Sequence, residues 1–376
     1  MDKESLPEGW DLVFLEKIVT IDYGKGLPAK VRQRGSIPVY GSNGIVGYHN
    51  KAITKMPVLI IGRKGSAGAV NFSKVPCWPI DTTFYIDDFP ESLSPSWIYL
   101  FLSTLNLSIW SQDGPKPGIR RDRLYKIQIP VPPLFEQRRI VARIEQLSSR
   151  LEKARELQRQ AAEDAERMLY SAISGCFSNG DSWTETKLGS VCTMKTGKTP
   201  PTKNKKYFDG AIPFVCPADL GDSVEITEAN RAISRLAVGD KKANLLAPNT
   251  ILLVGIGSTV GKVGITKVPL CTNQQITSLV FDKNVLPDYA TWYLISQRDT
   301  IRNAAAGGGV AIINQNGMGE LVFRYPKTIE EQRQIVGYLK DCKTKVEQLK
   351  KAQAETEAEL EKFMPALLAK AFRGEL

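Results

Sequence analysis

The stretch ILLVGIGSTVGKVG, residues 251–264, resembles a nucleotide-binding loop, because an apolar run leads into a glycine-rich turn that ends in Gly261 and Lys262. A phosphate-binding loop needs G-x-x-x-x-G-K-[ST], since its backbone amides hold the phosphates and its hydroxyl holds magnesium. Here Ile256 stands where the first glycine belongs, and Val263 stands where the hydroxyl belongs. The stretch is therefore not expected to bind ATP.

A related turn occurs earlier in the chain. Residues 59–70 (LIIGRKGSAGAV) repeat the order of apolar run, glycine turn with a basic residue, and apolar run. Glycine lets a backbone turn tightly and approach a ligand closely. Lys and Arg beside such a turn suit phosphates or guanine edges, whereas Ser, Asn and Gln suit the DNA backbone or adenine. A plain hairpin would account for the glycines, but less well for the basic residues beside them.

Further polar clusters lie at matching places in the two halves of the chain. Each could be turn chemistry alone, but adjacent Asn and Gln also suit bidentate contacts to adenine. The candidate DNA-binding residues of the first half are Ser42, Asn43, Arg63, Lys64, Ser66, Thr82, Thr83, Lys116, Arg120 and Arg121. Those of the second half are Lys198, Ser258, Thr259, Lys262, Asn273, Gln274, Gln275, Asn314 and Gln315.

Other site chemistries have little support. The 6 cysteines are scattered without a C-x-x-C pair, so neither a disulfide framework nor a zinc site is expected. His49 is the single histidine, so histidine-based catalysis or metal binding is not expected either. The N-terminus does not read as a signal peptide, and no apolar run approaches the roughly 20 residues of a membrane span. We expect a cytoplasmic protein without a membrane partner.

An internal repeat organises the chain. The segment FEQRRIV (135–141) returns as EEQRQIV (330–336), 195 residues later, and a long helical pattern follows each copy. Apolar residues then recur every 3.5 residues, through Met168 in the first helix and Phe363 in the second, which is typical of a coiled-coil seam. The residues expected to pair the helices are Ile140, Ile144, Leu147, Leu151, Gln158, Ile335, Leu339, Val346, Leu349 and Gln353.

Gln158 and Gln353 occupy the same place in the two seams. A polar residue in an apolar seam costs stability but can determine register and partner. If the helices pair antiparallel about a pseudo-twofold axis, we expect the two glutamines to meet near that axis. The alternative is a polar residue tolerated at a hydrated position.

The repeat also covers the segments before each helix, since Trp10 matches Trp183 and residues 37–38 match residues 212–213. The offset rises from 175 to 193 between residues 213 and 267, which predicts an insertion in the second half. Gly, Pro and short alternating runs indicate β-rich modules with helices near 97–103 and 289–296. The predicted fold is α+β, with two β-rich domains separated by two long helices that pair as an antiparallel coiled coil. The expected boundaries are 1–133, 134–177, 178–327 and 328–376.

The net charge of +10 is unevenly distributed along the chain. Residues 134–177 carry 8 Lys and Arg against 7 Asp and Glu, and residues 329–376 carry 9 against 9. The positive excess therefore belongs to the β-rich modules, which predicts that these modules bind a polyanion. A generically basic surface is the alternative.

Several segments together resemble the specificity subunits of type I restriction–modification systems. They are IPVPPLFEQRRIV (129–141), its second copy YPKTIEEQRQIV (325–336), LPEGWDLVFL (6–15) and LLAKAFRGEL (367–376). The resemblance implies two target recognition domains, each of which reads one half of a bipartite site in double-stranded DNA. It also implies that the helices set the distance between the half-sites, roughly 60 Å for 40 residues, and dock two methyltransferase subunits.

The same resemblance places the chemistry in partner subunits. The methyltransferase subunits would methylate adenine N6 with S-adenosylmethionine, and motor–nuclease subunits would use ATP and Mg. This chain would hold none of these cofactors, and it lacks N-P-P-[YF] and D-P-P-Y methylase motifs. The expected function is thus non-catalytic DNA recognition. The alternatives are a coiled-coil scaffold or adaptor with two protein- or glycan-binding modules, and an ATP-dependent enzyme.

Overall fold

The computed structural model describes residues 6–110, 118–178, 182–221, 224–305 and 310–376. Contacts within the chain divide it into two compact units. The first unit is Met1–Gln158 with Gln353–Leu376, and the second is Arg159–Ala352. Each unit therefore contains one β-rich module together with parts of both long helices.

The first unit is built on three small sheets, with strand orders β2-β8-β5-β6, β4-β3-β7 and β1-β9. Its strands are β1 (Asp11–Phe14), β2 (Asp22–Tyr23), β3 (Ile37–Gly41), β4 (Gly44–His49), β5 (Val58–Gly62), β6 (Val70–Ser73), β7 (Trp78–Pro79), β8 (Thr83–Ile86) and β9 (Gln128–Val131). Its helices are α1 (Pro95–Thr104), α2 (Arg121–Tyr125), the first part of α3 (Leu134–Ser178) and the last part of α8 (Ile329–Ala371).

The second unit has the strand orders β11-β18-β15-β16-β13, β14-β12-β17 and β10-β19. Its strands are β10 (Thr184–Lys187), β11 (Cys192–Thr196), β12 (Ile212–Val215), β13 (Glu225–Ile226), β14 (Ala232–Ile233), β15 (Ile251–Val254), β16 (Val263–Thr266), β17 (Cys271–Thr272), β18 (Ile276–Phe281) and β19 (Val322–Tyr325). Its helices are the last part of α3, then α4 (Arg235–Gly239), α5 (Pro287–Ser296), α6 (Arg298–Ala304), α7 (Gln315–Gly319) and the first part of α8 (Ile329–Ala371).

The two modules share one topology, which confirms the predicted repeat. Strands β5 and β15 are buried along their whole length because their alternate side chains pack into a hydrophobic core on each face of the sheet. The second module has one extra strand, β13, which pairs parallel with β16 at the edge of the sheet. This strand lies inside the predicted insertion.

The two long helices pair antiparallel, as predicted. In the first unit, Ile140 and Ile144 near the start of α3 pack in one core with Leu367 near the end of α8. In the second unit, Ile173 near the end of α3 packs in one core with Leu339 near the start of α8. In each case the beginning of one helix lies beside the end of the other.

Gln158 and Gln353 meet, as the antiparallel arrangement requires. The Gln353 side-chain Nε2 donates to the main-chain carbonyl oxygen of Gln158 at 3.0 Å. The two side chains therefore do not form a symmetric amide pair. This hydrogen bond joins the two helices at this point of the seam.

The prediction of a strict 3.5-residue seam is wrong along part of each helix. Met168 is 72% exposed, Phe363 is 42% exposed and Leu349 is 37% exposed. In α3 the core residues beyond Gln158 are instead Ile173 and Phe177. A straight α-helix drifts by about 20° per heptad relative to a 3.5-residue repeat, so the buried face moves by about one residue.

No helix in the described part of the chain is long and apolar enough to cross a membrane.

Candidate DNA interface

The glycine turns of the two modules join equivalent pairs of antiparallel strands, β5 to β6 and β15 to β16. Gly65 (φ +74°) and Gly257 (φ +103°) occupy the left-handed backbone region, which glycine adopts without strain. After Lys262 the chain continues directly as β16. A phosphate-binding loop would continue as a helix, so the geometry agrees with the sequence in excluding one here.

A second pair of glycines permits a close backbone crossing in each module. A side chain at Gly24 would place its Cβ 2.0 Å from the carbonyl oxygen of Ile80. At Gly197 the Cβ would lie 2.1 Å from the carbonyl oxygen of Asn273. Only glycine fits at these positions. The crossings bring the end of β2 or β11 against the loop that precedes β8 or β18.

In the first module, the predicted segments converge on Ser42. Its Oγ lies 2.6 Å from the carbonyl oxygen of Lys64 and 2.7 Å from that of Thr82. The backbone N–H groups of Arg63 and Lys64 donate to the same Thr82 oxygen, at 2.8 and 3.1 Å. Ile119 N donates to the Arg63 oxygen at 3.0 Å. Four loops are thus held together.

Arg63 and Arg121 flank the ring of Tyr23. Their guanidinium carbons lie 5.0 and 4.9 Å from the ring centroid, within cation–π range. Backbone carbonyls hold both arginines, since Arg63 Nη1 donates to Asp81 O and Arg121 Nη1 donates to Ile21 O, each at 3.2 Å. Tyr23 itself is 49% exposed. The result is a rigid basic and aromatic surface.

The other predicted residues of the first module differ in what their side chains do. Thr83 is fully buried and its Oγ1 donates to the Ile80 carbonyl at 2.7 Å. Ser42 is also buried, so both hydroxyls support the loops from inside. Arg120 is exposed and pairs with Asp122 at 3.0 Å. The predicted residues Asn43, Lys64 and Ser66 are exposed, and Thr82 is half-buried. Lys116 lies outside the described residues.

In the second module, amide side chains replace the arginines. Gln315 Nε2 donates to Thr196 Oγ1 at 2.7 Å, at the end of β11. Thr199 Oγ1 donates to Gln274 Oε1. Asn273 Nδ2 donates to Gln275 Oε1 at 2.9 Å. The loops after β11, before β18 and before α7 therefore come together in this module.

Two asparagines of this group have internal partners. Asn273 is 8% exposed, and its Oδ1 accepts from the N–H of Gln275 at 3.1 Å. Asn314 caps α7, because its Oδ1 accepts from Gly317 N at 2.9 Å. The remaining predicted residues Lys198, Ser258, Gln274 and Gln315 are exposed, while Thr259 and Gln275 are half-buried.

Lys262 differs from the expected phosphate ligand. Its Nζ donates to the carbonyl oxygen of Leu220 at 2.7 Å. It lines a cleft of about 390 Å³, together with Glu166 of α3 and Lys350 of α8. The amino group therefore serves a contact inside the second unit.

Sequence reasoning missed Tyr23, although a signal was present. It lies beside Gly24 and Lys25, in a segment rich in glycine and basic residues. The single histidine, His49, is buried, and its Nδ1 accepts from the N–H of Gln33 at 3.0 Å. Among the described residues, no group of three or more His, Cys, Asp or Glu side chains could hold a metal ion.

Comparison with known proteins identifies the family. A sequence profile described as "Type I restriction modification DNA specificity domain" matches residues 7–159 and 180–358. The chain belongs to this family. The two matched ranges correspond to the two copies of the internal repeat, so each specificity-domain match covers one β-rich module and part of the helix that follows it. The predicted resemblance is confirmed.

Curated relatives of this specificity-family chain carry the same description. It is 28% identical to the type I restriction enzyme MjaIX specificity subunit of Methanocaldococcus jannaschii, over 42% of this chain and 38% of that protein. It is 27% identical to the EcoR124I/EcoR124II specificity subunit of Escherichia coli, over 79% of this chain and 77% of that protein. The chain thus matches well under half of the first relative and most of the second.

Solved structures share the fold. One has a TM-score of 0.75 at 24% identity and covers 99% of both chains. Its description concerns complex assembly and conformational transition of the type I R-M system. The HsdS subunit from Thermoanaerobacter tengcongensis has a TM-score of 0.67 at 24% identity, covering 99% of this chain and 98% of that chain. At this identity, the likeness supports the fold alone.

Proposed function

We propose that this chain is the non-catalytic DNA-recognition subunit of a type I restriction–modification complex. One observation carries the proposal within a chain of this family. In each β-rich module, loops from separate strands bring basic or amide side chains together at exposed positions. Such groups are suited to phosphates and base edges.

The two modules would read different half-sites. In the first module the exposed groups are Lys64 and Tyr23, whose ring lies between the half-buried Arg63 and Arg121, and basic side chains suit guanine edges or phosphates. In the second they are Gln274 and Gln315, which suit adenine. In this proposal Ser42, Thr83, Asn273 and Asn314 position the loops, and Lys262 contributes to the packing beside the long helices.

The remaining parts of the proposal follow the family. Residues 1–133 and 178–327 form the target recognition domains, and residues 134–177 and 328–376 form the helical spacer. Two methyltransferase subunits dock on this spacer, and motor–nuclease subunits join the complex in the cytoplasm. S-adenosylmethionine, ATP and Mg are bound by those partners. The family match and the curated specificity-subunit relatives support assembly with other restriction–modification subunits.

Co-expression with the methyltransferase subunit of the same system tests the function. We expect N6-methyladenine at one bipartite motif in the host genome, and duplex DNA binding that weakens steeply with salt. If co-expression added no methylation to the host genome, and DNA binding were absent or insensitive to salt, the proposal would be overturned and a scaffold favoured. Absence of nucleotide binding to the chain alone with Mg-ATP is also expected.

A further inference from the structure

The second module carries a basic surface outside the loops predicted to recognise DNA. Two short segments form it, residues 203–206 (KNKK) before β12 and residues 241–242 (KK) after α4. Lys203, Lys205, Lys206, Lys241 and Lys242 are all exposed. We call these five residues the lysine surface.

Two hydrogen bonds bring the segments together. Tyr207 donates its hydroxyl to Asp240 Oδ2 at 2.9 Å, and each of these residues directly adjoins a lysine of the surface. Ser234 Oγ donates to the Lys206 carbonyl oxygen at 2.7 Å. Tyr207, Phe214 and Ala237 share a small buried core beneath the two segments. The lysine surface is thus a consequence of the fold and not only of composition.

The charge of this surface is not neutralised within the chain. In the part of the chain that the structure describes, none of the five lysines forms an ion pair with a carboxylate. The nearest acidic residues in sequence are Asp209 and Asp240, and Asp240 already accepts the hydroxyl of Tyr207. Clustered like charges repel one another, so this arrangement favours binding of an anion.

Lys241 adopts an uncommon backbone conformation. Its φ is +57°, the left-handed conformation that follows many helices and that is usually filled by glycine. A side chain with a Cβ is strained in this conformation. Replacing Lys241 by glycine should therefore relieve strain at this position while it removes one charge of the lysine surface.

The lysine surface is connected to the loops that carry the exposed amide side chains of Gln274 and Gln315 in the same module. Asn244, two residues beyond Lys242, donates from Nδ2 to the Thr196 carbonyl oxygen at 3.1 Å. Thr196 Oγ1 is the group that accepts from Gln315. The end of β11 thus joins the two surfaces through a pair of direct hydrogen bonds.

We propose that the lysine surface binds the phosphate backbone of duplex DNA next to the half-site read by the second module. This proposal rests on the proposed function, and it adds a contact that contributes affinity without sequence preference. Phosphate contacts fix position along the duplex, while base contacts specify sequence. An acidic protein partner is the competing occupant.

Binding of the full-length chain to a mixed-sequence 30-base-pair duplex over a series of salt concentrations tests the proposal. The main variant is K205A/K206A/K241A/K242A. The matched control, K283A/K327A/K351A/K362A, removes the same charge from exposed lysines elsewhere. For the main variant, we expect the slope of log K against log salt to shrink by about 0.9 for each lost phosphate contact. The methylated motif should stay the same.

Two results would overturn the proposal: an unchanged slope in the main variant, or an equal loss of slope in the control. If the slope is unchanged and the main variant also fails to co-purify with the methyltransferase subunit, the surface belongs to a protein partner. Failure of the wild-type chain to bind duplex DNA would instead remove the proposed function itself. The single variant Lys241→Gly guards against misfolding, since it should bind with a smaller slope while its melting temperature does not fall.

Discussion

Gln137 in the first unit and Gln332 in the second make the same three hydrogen bonds, and both are completely buried. In each, Oε1 accepts at 2.8 Å from a backbone N–H at the start of the helix that follows the sheet, that of Ser94 or Leu286. Each Nε2 donates to two carbonyl oxygens, those of Ser92 and Pro132 in the first unit and those of Asn284 and Pro326 in the second. The glutamine of the repeated EQR segment thus attaches each long helix to its module.

Replacing either glutamine should be costly. Gln137→Ala or Gln332→Ala leaves three buried backbone groups without a partner, and we expect a loss of roughly 2–4 kcal/mol in unfolding free energy of the affected unit. Urea unfolding measures this. The exposed Gln334→Ala is the control and should change stability by about 0.5 kcal/mol or less. Equal effects from the two kinds of variant would contradict the assignment.

Phe372 anchors the end of α8 in the first unit. Its ring lies edge-on to Trp97 at 4.7 Å and to Phe101 at 5.1 Å between centroids, and it is 2% exposed. We expect Phe372→Ala to cost about 3–5 kcal/mol and to lower the melting temperature of this unit. Phe363→Ala, at a 42% exposed position on the same helix, should have a much smaller effect. A neutral Phe372→Ala would show that the helix end does not belong to this core.

Specificity should be modular. Lys64→Ala is expected to relax the sequence preference of one half-site by about 1–3 kcal/mol, because a base contact is lost. Gln315→Ala should relax only the other half-site. Methylome sequencing of strains that carry each variant with the partner methyltransferase reads both halves at once. If either variant relaxed both halves equally, the two modules would not act separately.

Two buried thiols of the second unit should resist alkylation. Burial raises the pKa of Cys192 to about 12 and that of Cys271 to about 11, from an ordinary value of 9.0. The folded state disfavours the thiolate. These groups therefore leave the free energy of unfolding unchanged below pH 9 and lower it as the pH rises above 9. At pH 8 iodoacetamide should leave both thiols unmodified in the folded protein and modify them in urea. Rapid modification under native conditions, read by mass spectrometry, would contradict this burial.

Features encoded by local pattern and repetition were predictable from the sequence. The duplicated EQR segments located both long helices, and the offset between the halves located the insertion that contains β13. The predicted seam was wrong at Met168 and Phe363, because a 3.5-residue pattern and a helix with 3.6 residues per turn diverge with length. That divergence depends on whether the helices supercoil, which spacing alone does not determine.

The candidate site was predictable as a set of loops but less so residue by residue. Ser42, Thr83 and Asn314 have side chains of the right chemistry. Thr83 and Asn314 nevertheless hydrogen-bond the backbone three residues away, and Ser42 hydrogen-bonds the backbone of two other loops. Tyr23 was missed because its partners Arg63 and Arg121 are distant in sequence and meet only in three dimensions. A polar residue in a turn suits a ligand or its own backbone equally well, and only the fold distinguishes the two.

The division of the chain has a consequence for its synthesis on the ribosome. The second unit is one continuous segment, Arg159–Ala352, whereas the first needs both Met1–Gln158 and Gln353–Leu376. Its core contains Ala371 and Phe372, so it cannot be completed until these residues have been synthesised. The β-rich module that is made first therefore completes its core only after the second unit has been made, and its apolar surface stays exposed until then.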